Sequence, residues 1–275
     1  MKIALIGGGN MGEAMLPMLE AVLKSLPAPH GIFVSDISDA RLLTIKQKYS
    51  GKFSTTALST TCNNREAAEG SDVIVLAIKP QNLAEVMAEL SGLLQPNQLV
   101  MSIITGAKLS TLCKGLKHKT VVRVMPNTPA QIGQGISVWA ATTEVTNQQK
   151  EWARSIISVM GQEIYVDEEK YLDMATAVSG SGPAYFFLFV ESLVEAAKSI
   201  GLQQDVAEKL VLQTMMGSGY LMEKSDKPTV ELRRMVTSPG GTTAAALHKL
   251  EEGQFTELIK QAVAAAYNRA KELGN

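Results

Sequence analysis

The feature that most constrains this chain is its first turn, Gly7-Gly8-Gly9-Asn10-Met11-Gly12, which reads G-x-G-x-x-G. Ahead of it, Lys2 to Ile6 is a short and mostly apolar run, as a buried strand requires. Behind it, Met11, Met15, Met18, Leu19, Val22 and Leu26 recur at helical spacing. In such a strand–turn–helix unit each glycine has its own task. The first permits the tight turn, the second lets the backbone approach a pyrophosphate, and the third lets helix and strand pack closely. The phosphates then sit on the unpaired N–H groups of the first helical turn. Alone the motif is weak, but its place at the head of a βαβ unit gives it weight.

The alternation continues. Ile32–Ser35, Val73–Ile78, Leu99–Ile104 and Val121–Met125 read as strands, and Ala40–Tyr49 and Leu83–Leu94 as helices between them. Strands alternating with helices predict a parallel sheet covered on both faces. Ile136–Ala141 and Ile164–Val166 read as late strands around a helix over Gln148–Met160. The fold class is therefore α/β, a doubly wound, mainly parallel Rossmann sheet over residues 1–166. From Asp167 onward the strand signals stop. Helices are predicted over Pro183–Ile200, after a cap at Asp205, and over Pro228–Val236, Thr242–Glu252 and Phe255–Leu273. Residues 167–275 thus form an all-α second domain, in keeping with a length of 275 residues, above the mode for one domain.

That second domain lacks a partner within itself. Tyr185, Phe186, Phe187, Leu188, Phe189 and Val190 make the opening of one helix apolar on every side. Met215-Met216-Gly217-Ser218-Gly219 places small residues where another helix can approach. Pairing of the chain with itself is expected, the alternative being a self-contained bundle. Charge narrows the partners further. Lys and Arg total 26 against 27 Asp and Glu, so no basic excess points to nucleic acid or an anionic membrane. No stretch approaches the roughly 18 apolar residues of a membrane span, the longest candidate, Ala184 to Val190, stopping at Glu191. The apolar start of the chain breaks at three glycines before any cleavage-like site. Two cysteines, Cys62 and Cys113, suggest a reducing compartment without a disulfide framework. A cytoplasmic protein is expected.

The chemistry is read from a few positions. Asp36 ends the second strand, where a carboxylate accepts from a ribose 2′-OH and repels a 2′-phosphate. Ser38 and Arg41 stand just behind and could hold that phosphate, and Asp36 could equally be a turn residue or cap. NADH and NADPH both stay open. No HExxH or CxxC is present, so no metal is expected. Of the three histidines, His30, His118 and His248, none lies in a glycine-rich or loop motif, so the general base used on alcohols is missing. An imine suits such a site, because its nitrogen arrives protonated and needs only hydride. Two stretches, Ser179-Gly180-Ser181-Gly182-Pro183 and Thr237-Ser238-Pro239-Gly240-Gly241-Thr242-Thr243, place hydroxyls and glycines before a helix and keep acids out of its first turn. Each predicts free N–H donors and a positive dipole end suited to a small carboxylate, although ordinary threonine capping reads equally well at the second.

Taken in order and spacing, IGGGNMG, AIKP, RVMPNTPA, SGSGPAY and TSPGGTT resemble the pyrroline-5-carboxylate reductase family over essentially the whole chain. The resemblance implies a Rossmann domain followed by a helical dimerisation domain, with homodimers often assembled into larger rings. It implies reduction of the cyclic imine 1-pyrroline-5-carboxylate to L-proline by NADPH or NADH, the final step of proline biosynthesis. Carried over by motif, Gly7, Gly9, Asn10, Met11 and Gly12 bind the pyrophosphate, while Ser38 and Asn64 touch the adenosine side. Ala77, Ile78, Lys79 and Pro80 line the cofactor groove, and Ser102, Ile103, Ile104, Asn127 and Pro129 lie toward the nicotinamide. Ser238, Gly241, Thr242 and Thr243 hold the substrate, with Thr243 at the ring nitrogen and Glu169 near it. Some members carry a basic residue after the second strand, where this chain has Asp36-Ile37. Two other classes are a different small-substrate Rossmann reductase, such as a β-hydroxyacid dehydrogenase relative, and a non-catalytic dinucleotide-binding regulator.

Overall fold

The computed structural model describes residues 1–26, 29–53 and 56–274. Its strands are β1 (Lys2–Ile6), β2 (His30–Ser35), β3 (Thr56–Thr61), β4 (Val73–Leu76), β5 (Leu99–Ser102), β6 (Val121–Met125), β7 (Gly135–Ala141) and β8 (Gly161–Tyr165). They form one sheet in the order β3-β2-β1-β4-β5-β6-β7-β8. Around it lie α1 (Asn10–Lys24), α2 (Asp39–Tyr49), α3 (Asn64–Ala68), α4 (Leu83–Leu90), α5 (Leu109–Leu116), α6 (Asn147–Ser158) and α7 (Lys170–Ala175). The helices α8 (Gly182–Ser199), α9 (Gln204–Lys224), α10 (Thr229–Met235), α11 (Thr242–Glu252) and α12 (Phe255–Leu273) follow.

The six strands from β3 to β6 in the sheet run parallel, and β4, β5 and β6 are buried at every residue. Side chains of β1 alternate between two cores, because successive residues of a strand point to opposite faces. Ile3 and Leu5 join Met15, Leu19, Ile45 and Ile156 on one face, while Ala4 and Ile6 join Val86, Leu90, Leu112 and Leu116 on the other. The sheet reverses at β7, which pairs antiparallel with β6, and β8 then follows β7 in parallel. Only a short 3-10 turn, Thr128–Ile132, joins β6 to β7, too little chain for the crossover that parallel strands need. A capping box opens α6. The Thr146 hydroxyl accepts from the Gln149 N–H at 3.3 Å and the Gln149 side chain accepts from the Thr146 N–H at 3.0 Å.

Four elements escape the hydrophobic pattern, α7 among them. β3 (TALSTT) is an edge strand with half-exposed threonines, so no apolar run announces it. The helices α3 and α5 are short, five and eight residues, and bury only two or three side chains each.

By contact the chain divides into two compact units, Met1–Ser181 with Ala266–Asn275, and Gly182–Ala265. The first holds the sheet and its cores. The strands end at Tyr165, and the unit continues through α7 and takes back the end of α12. There Gly106 passes so close to the last turn that a Cβ on it would lie 2.8 Å from the Leu273 carbonyl oxygen. The second unit buries only Gly182, Ala207 and Val211 among its described residues, and exposes Phe186, Phe187, Leu188, Phe189, Leu210, Leu212, Tyr220 and Leu221.

The structure corrects three expectations. SGSGP leads into α8, but its Ser181 N–H is not a free donor. Residues Thr176–Gly180 form a π turn inside one helix that runs from Lys170 to Ser199, and the Ser181 N–H donates to the Thr176 carbonyl at 2.8 Å. Pro183 has no N–H to give an α-helical bond, and a wider turn just before it accommodates that loss. An 18-residue window of the same helix, with mean hydropathy 1.3, passes for a membrane span by length and composition alone, a test that core helices of soluble proteins also pass. Finally, Gln203 holds the N-cap position of α9 without a side-chain hydrogen bond, and Asp205 lies in the first turn, where its charge favours the positive end of the helix.

Candidate active site

At the end of β1 the three motif glycines separate into three physical roles. Gly7 has φ of +104°, in a region that L side chains rarely adopt, and a Cβ on it would lie 2.6 Å from the Ala77 carbonyl oxygen. A side chain on Gly12 would collide with the Gly7 carbonyl, so this glycine lets α1 approach β1. Gly9 alone is open, with nothing within 4 Å of where a Cβ would stand. It is the N-cap of α1 and supplies no side chain to the free N–H groups of Asn10, Met11 and Gly12. A bare backbone, an open side and a helix N-terminus are what a pyrophosphate needs. The residues present therefore fit a dinucleotide.

The positions assigned to the cofactor line up along the C-terminal ends of the parallel strands β1 to β6, beside the point where strand order reverses between β1 and β4. Asp36 follows β2, and its two carboxylate oxygens accept from the N–H groups of Gly8 at 2.8 Å and Ser38 at 2.9 Å. The Ser38 hydroxyl caps α2 by accepting from the Arg41 N–H at 3.3 Å. Arg41 donates from Nε to the Gly8 carbonyl at 2.5 Å, and its guanidinium pairs with Glu13. Asn64 is buried, accepting from the Ser35 hydroxyl and donating to Glu89, each at 2.6 Å. After β4, the Ala77 N–H donates to the Ile6 carbonyl at 2.8 Å, and Ile78 and Lys79 lead to a 3-10 turn opened by Pro80. After β5, the buried Ser102 hydroxyl accepts from the Ile104 N–H, while the Ile103 N–H bonds the Leu76 carbonyl. After β6, Asn127 accepts from the Ile136 N–H at 3.0 Å, and Pro129 stands in the following 3-10 turn.

Glu169 lies in the same unit and is engaged there. Its Oε1 accepts from the Leu109 N–H at 2.8 Å, capping α5, and from Arg123 Nη1 at 2.8 Å. Arg123 is 2% exposed in the middle of β6, and its Nη2 donates to Asp173 at 2.8 Å. Sequence reasoning passed over Arg123 and Asp173. The available signal was an arginine inside the apolar run Val121-Val122-Arg123-Val124-Met125, since a charge buried in a strand requires partners.

Within the second unit, TSPGGTT folds as a tight turn and then a helix. The Gly241 N–H donates to the Ser238 carbonyl at 3.0 Å, with Pro239 second in the turn and Gly240 third at φ of +70°. A side chain on Gly241 would run into the Ser238 hydroxyl. Gly241 is the N-cap of α11, no side chain caps that helix, and its first turn carries no acid. Threonine capping is thus not what this stretch supplies. Thr237 donates backward to the Arg233 carbonyl, and the hydroxyls of Thr242 and Thr243 make no hydrogen bond among the described residues.

Histidine holds structural contacts. His30 and His118 bond the Leu26 and Gln98 carbonyls, and His248 meets Glu252 on an exposed helix face. Among the described residues, no group of three or more His, Cys, Asp and Glu is placed to hold a metal.

Comparison with known proteins identifies the family. Residues 169–273 match the pyrroline-5-carboxylate reductase dimerisation family, and residues 2–106 match the family described as NADP oxidoreductase, coenzyme F420-dependent. The pyrroline-5-carboxylate reductase of Pseudomonas aeruginosa is 39% identical, the match covering 99% of this chain and 96% of the relative. The chain belongs to the pyrroline-5-carboxylate reductase family. The enzyme of that name from Synechocystis is 38% identical over 99% of this chain and 98% of its own. Among solved structures, a reductase of the family from Plasmodium falciparum with NADP bound superimposes with a TM-score of 0.84 at 31% identity, covering 100% and 98% of the two chains. One from Coxiella burnetii does so with the same score at 37% identity, covering 99% and 98%. The pyrroline-5-carboxylate reductase family therefore accounts for both units, the Rossmann sheet and the apolar helices after it.

Proposed function

We propose that this chain reduces 1-pyrroline-5-carboxylate to L-proline with NADPH or NADH, the closing step of proline biosynthesis. The observation that carries the reading is end-to-end similarity to pyrroline-5-carboxylate reductases, with the glycine cradle and the uncapped α11 both intact. The labour divides as the sequence suggests, residues 1–166 for the dinucleotide and 167–275 for substrate and dimerisation. Asn10, Met11 and Gly12 hold the pyrophosphate on backbone N–H groups, and Ala77–Pro80, Ser102–Ile104, Asn127 and Pro129 shape the groove. A reduced nicotinamide, when bound, supplies a hydride to the carbon of the C=N bond.

What the chain itself contributes is orientation. The N–H groups that open α11 bind the ring carboxylate, favoured by the helix dipole and by an acid-free first turn. Ser238, Gly241 and Thr242 shape that turn, and the Thr243 hydroxyl holds the ring nitrogen, which keeps the proton it brings. Glu169 is the further substrate position that the family resemblance assigns, and in its own unit it is held by the Leu109 N–H and Arg123. Positioning of this kind contributes several kcal/mol.

The exposed aromatic face of α8 is covered by a second copy of the chain, giving a homodimer and, from dimers, larger rings. The match to a dimerisation family over these residues supports this over a lipid partner. A cytoplasmic setting agrees with the two free cysteines. The test is to follow NADH and NADPH oxidation with pyrroline-5-carboxylate. Oxidation of hydroxyacids without imine reduction would favour a β-hydroxyacid dehydrogenase-like enzyme, and binding without turnover a regulator.

A further inference from the structure

We propose that Glu13 sets the choice between the two nicotinamide dinucleotides by withholding Arg41 from the 2′ position of the adenosine ribose. The proposal rests on the dinucleotide reading above and adds a residue outside the fingerprint glycines to it.

Glu13 lies in the first turn of α1, an unfavourable neighbour for a pyrophosphate unless its charge is answered. The structure answers it twice. Arg41 pairs with Oε2, and Lys48 Nζ lies 2.6 Å from Oε1, leaving the Glu13 side chain only 12% exposed. Arg41 is also tied by Nε to the Gly8 carbonyl, inside the glycine turn itself. Lys48 is exposed, and its hydrogen bond to Glu13, with the charges of Tyr49 and Glu13, raises its ammonium above the ordinary value.

Arg41 stands three residues after Ser38, at the start of the helix that follows β2, where the ribose 2′ substituent is read. An arginine there accommodates a 2′-phosphate. Arg41 already spends Nε on the Gly8 carbonyl and Nη2 on Glu13, so a 2′-phosphate has to compete with the Glu13 carboxylate for that guanidinium. A 2′-hydroxyl makes no such demand, and the Asp36 carboxylate, held by the N–H groups of Gly8 and Ser38, stands ready to accept from it. Glu13 therefore favours NAD(H) without touching the ribose, and acts as a positioning residue through Arg41.

The test is calorimetric titration of NADP+ and NAD+ into the full-length protein. Glu13→Gln should lower the ratio of the NADP+ to the NAD+ dissociation constant about fivefold to tenfold, as one recovered charge-assisted hydrogen bond would do. Arg41→Met should abolish that gain in the Glu13→Gln background, yet move the ratio less than twofold on its own. Glu13→Asp, which keeps the charge and retracts it, should give a smaller shift of the same sign and serves if the glutamine variant fails to fold. A ratio that stays within twofold in a folded Glu13 variant overturns the proposal, as does a gain that survives Arg41→Met. Absence of binding by either dinucleotide to the unaltered protein would overturn the cofactor reading itself, and the proposal with it.

Discussion

Leu43 and Leu188 are nearly equally exposed, 55% and 63%, yet they stand in opposite kinds of structure. Leu43 lies on the outer face of α2, whose inner face is anchored in a core by Leu42, Ile45 and Tyr49. Leu188 lies on α8, in a unit that buries only Gly182, Ala207 and Val211 among its described residues. Ordering a residue costs about 1–2 kcal/mol of backbone entropy, and burying a large apolar side chain returns about 1.5–3 kcal/mol. The first unit meets that cost with two cores on the two faces of its sheet. The second leaves most of its apolar side chains in water as a single chain. Its stability has to come from surface that another molecule covers.

The largest effect expected from this contrast is at Leu188. Leu188→Arg should break the dimer and abolish activity, because an unpaired charge held in an apolar interface costs several kcal/mol. Leu43→Arg should change stability by no more than about 0.5 kcal/mol. Light scattering and thermal melts on the two variants decide it, and similar behaviour of both would break the comparison. Next in size is Ile74→Ala, at the centre of β4, which should cost about 2–5 kcal/mol. This loss should not depend on protein concentration, whereas that of Phe187→Ala should shrink as concentration rises. Denaturant melts at two concentrations read both.

Thr243→Ala sharpens the contrast at the turn before α11, proposed above to hold the substrate. The hydroxyl caps nothing in α11, so melting should be unchanged while kcat/KM falls about tenfold or more, the worth of one hydrogen bond to a charged group. Early melting with normal turnover would remove Thr243 from the site. The smallest effect is at Asp36. Asp36→Ala should shift the kcat/KM preference toward NADPH by about tenfold, equivalent to about 1.4 kcal/mol. An unchanged NADH/NADPH ratio would mean that its work is confined to the N–H groups of Gly8 and Ser38.

Much of this molecule was legible beforehand because local pattern reports local burial. The buried runs of β1, β4, β5 and β6, the helical spacing of α1 and the bounds of α11 and α12 followed from periodicity and breakers. The edge strand β3 did not, since half-exposed threonines leave no apolar signature. The glycine turn after β1 was legible for a different reason. A glycine whose neighbour is backbone must remain glycine, and the tasks of Gly7 and Gly12 are steric facts of one short turn. Helix openings were the weak point. SGSGP and TSPGGTT look alike in sequence, yet one runs from the end of a π turn into α8 and the other is a tight turn before an uncapped helix.

What the sequence by itself determined is therefore the α/β alternation, the mechanical duty of each glycine in the first turn, and the excess of apolar surface after Pro183. Only the tertiary structure decided that β7 reverses the sheet, that Glu169 faces Arg123 from far along the chain, and that Glu13 takes Arg41 from α2. Periodicity encodes which face of a segment avoids water. It carries no record of which distant charge will come to lie opposite, because that depends on where the folded chain returns.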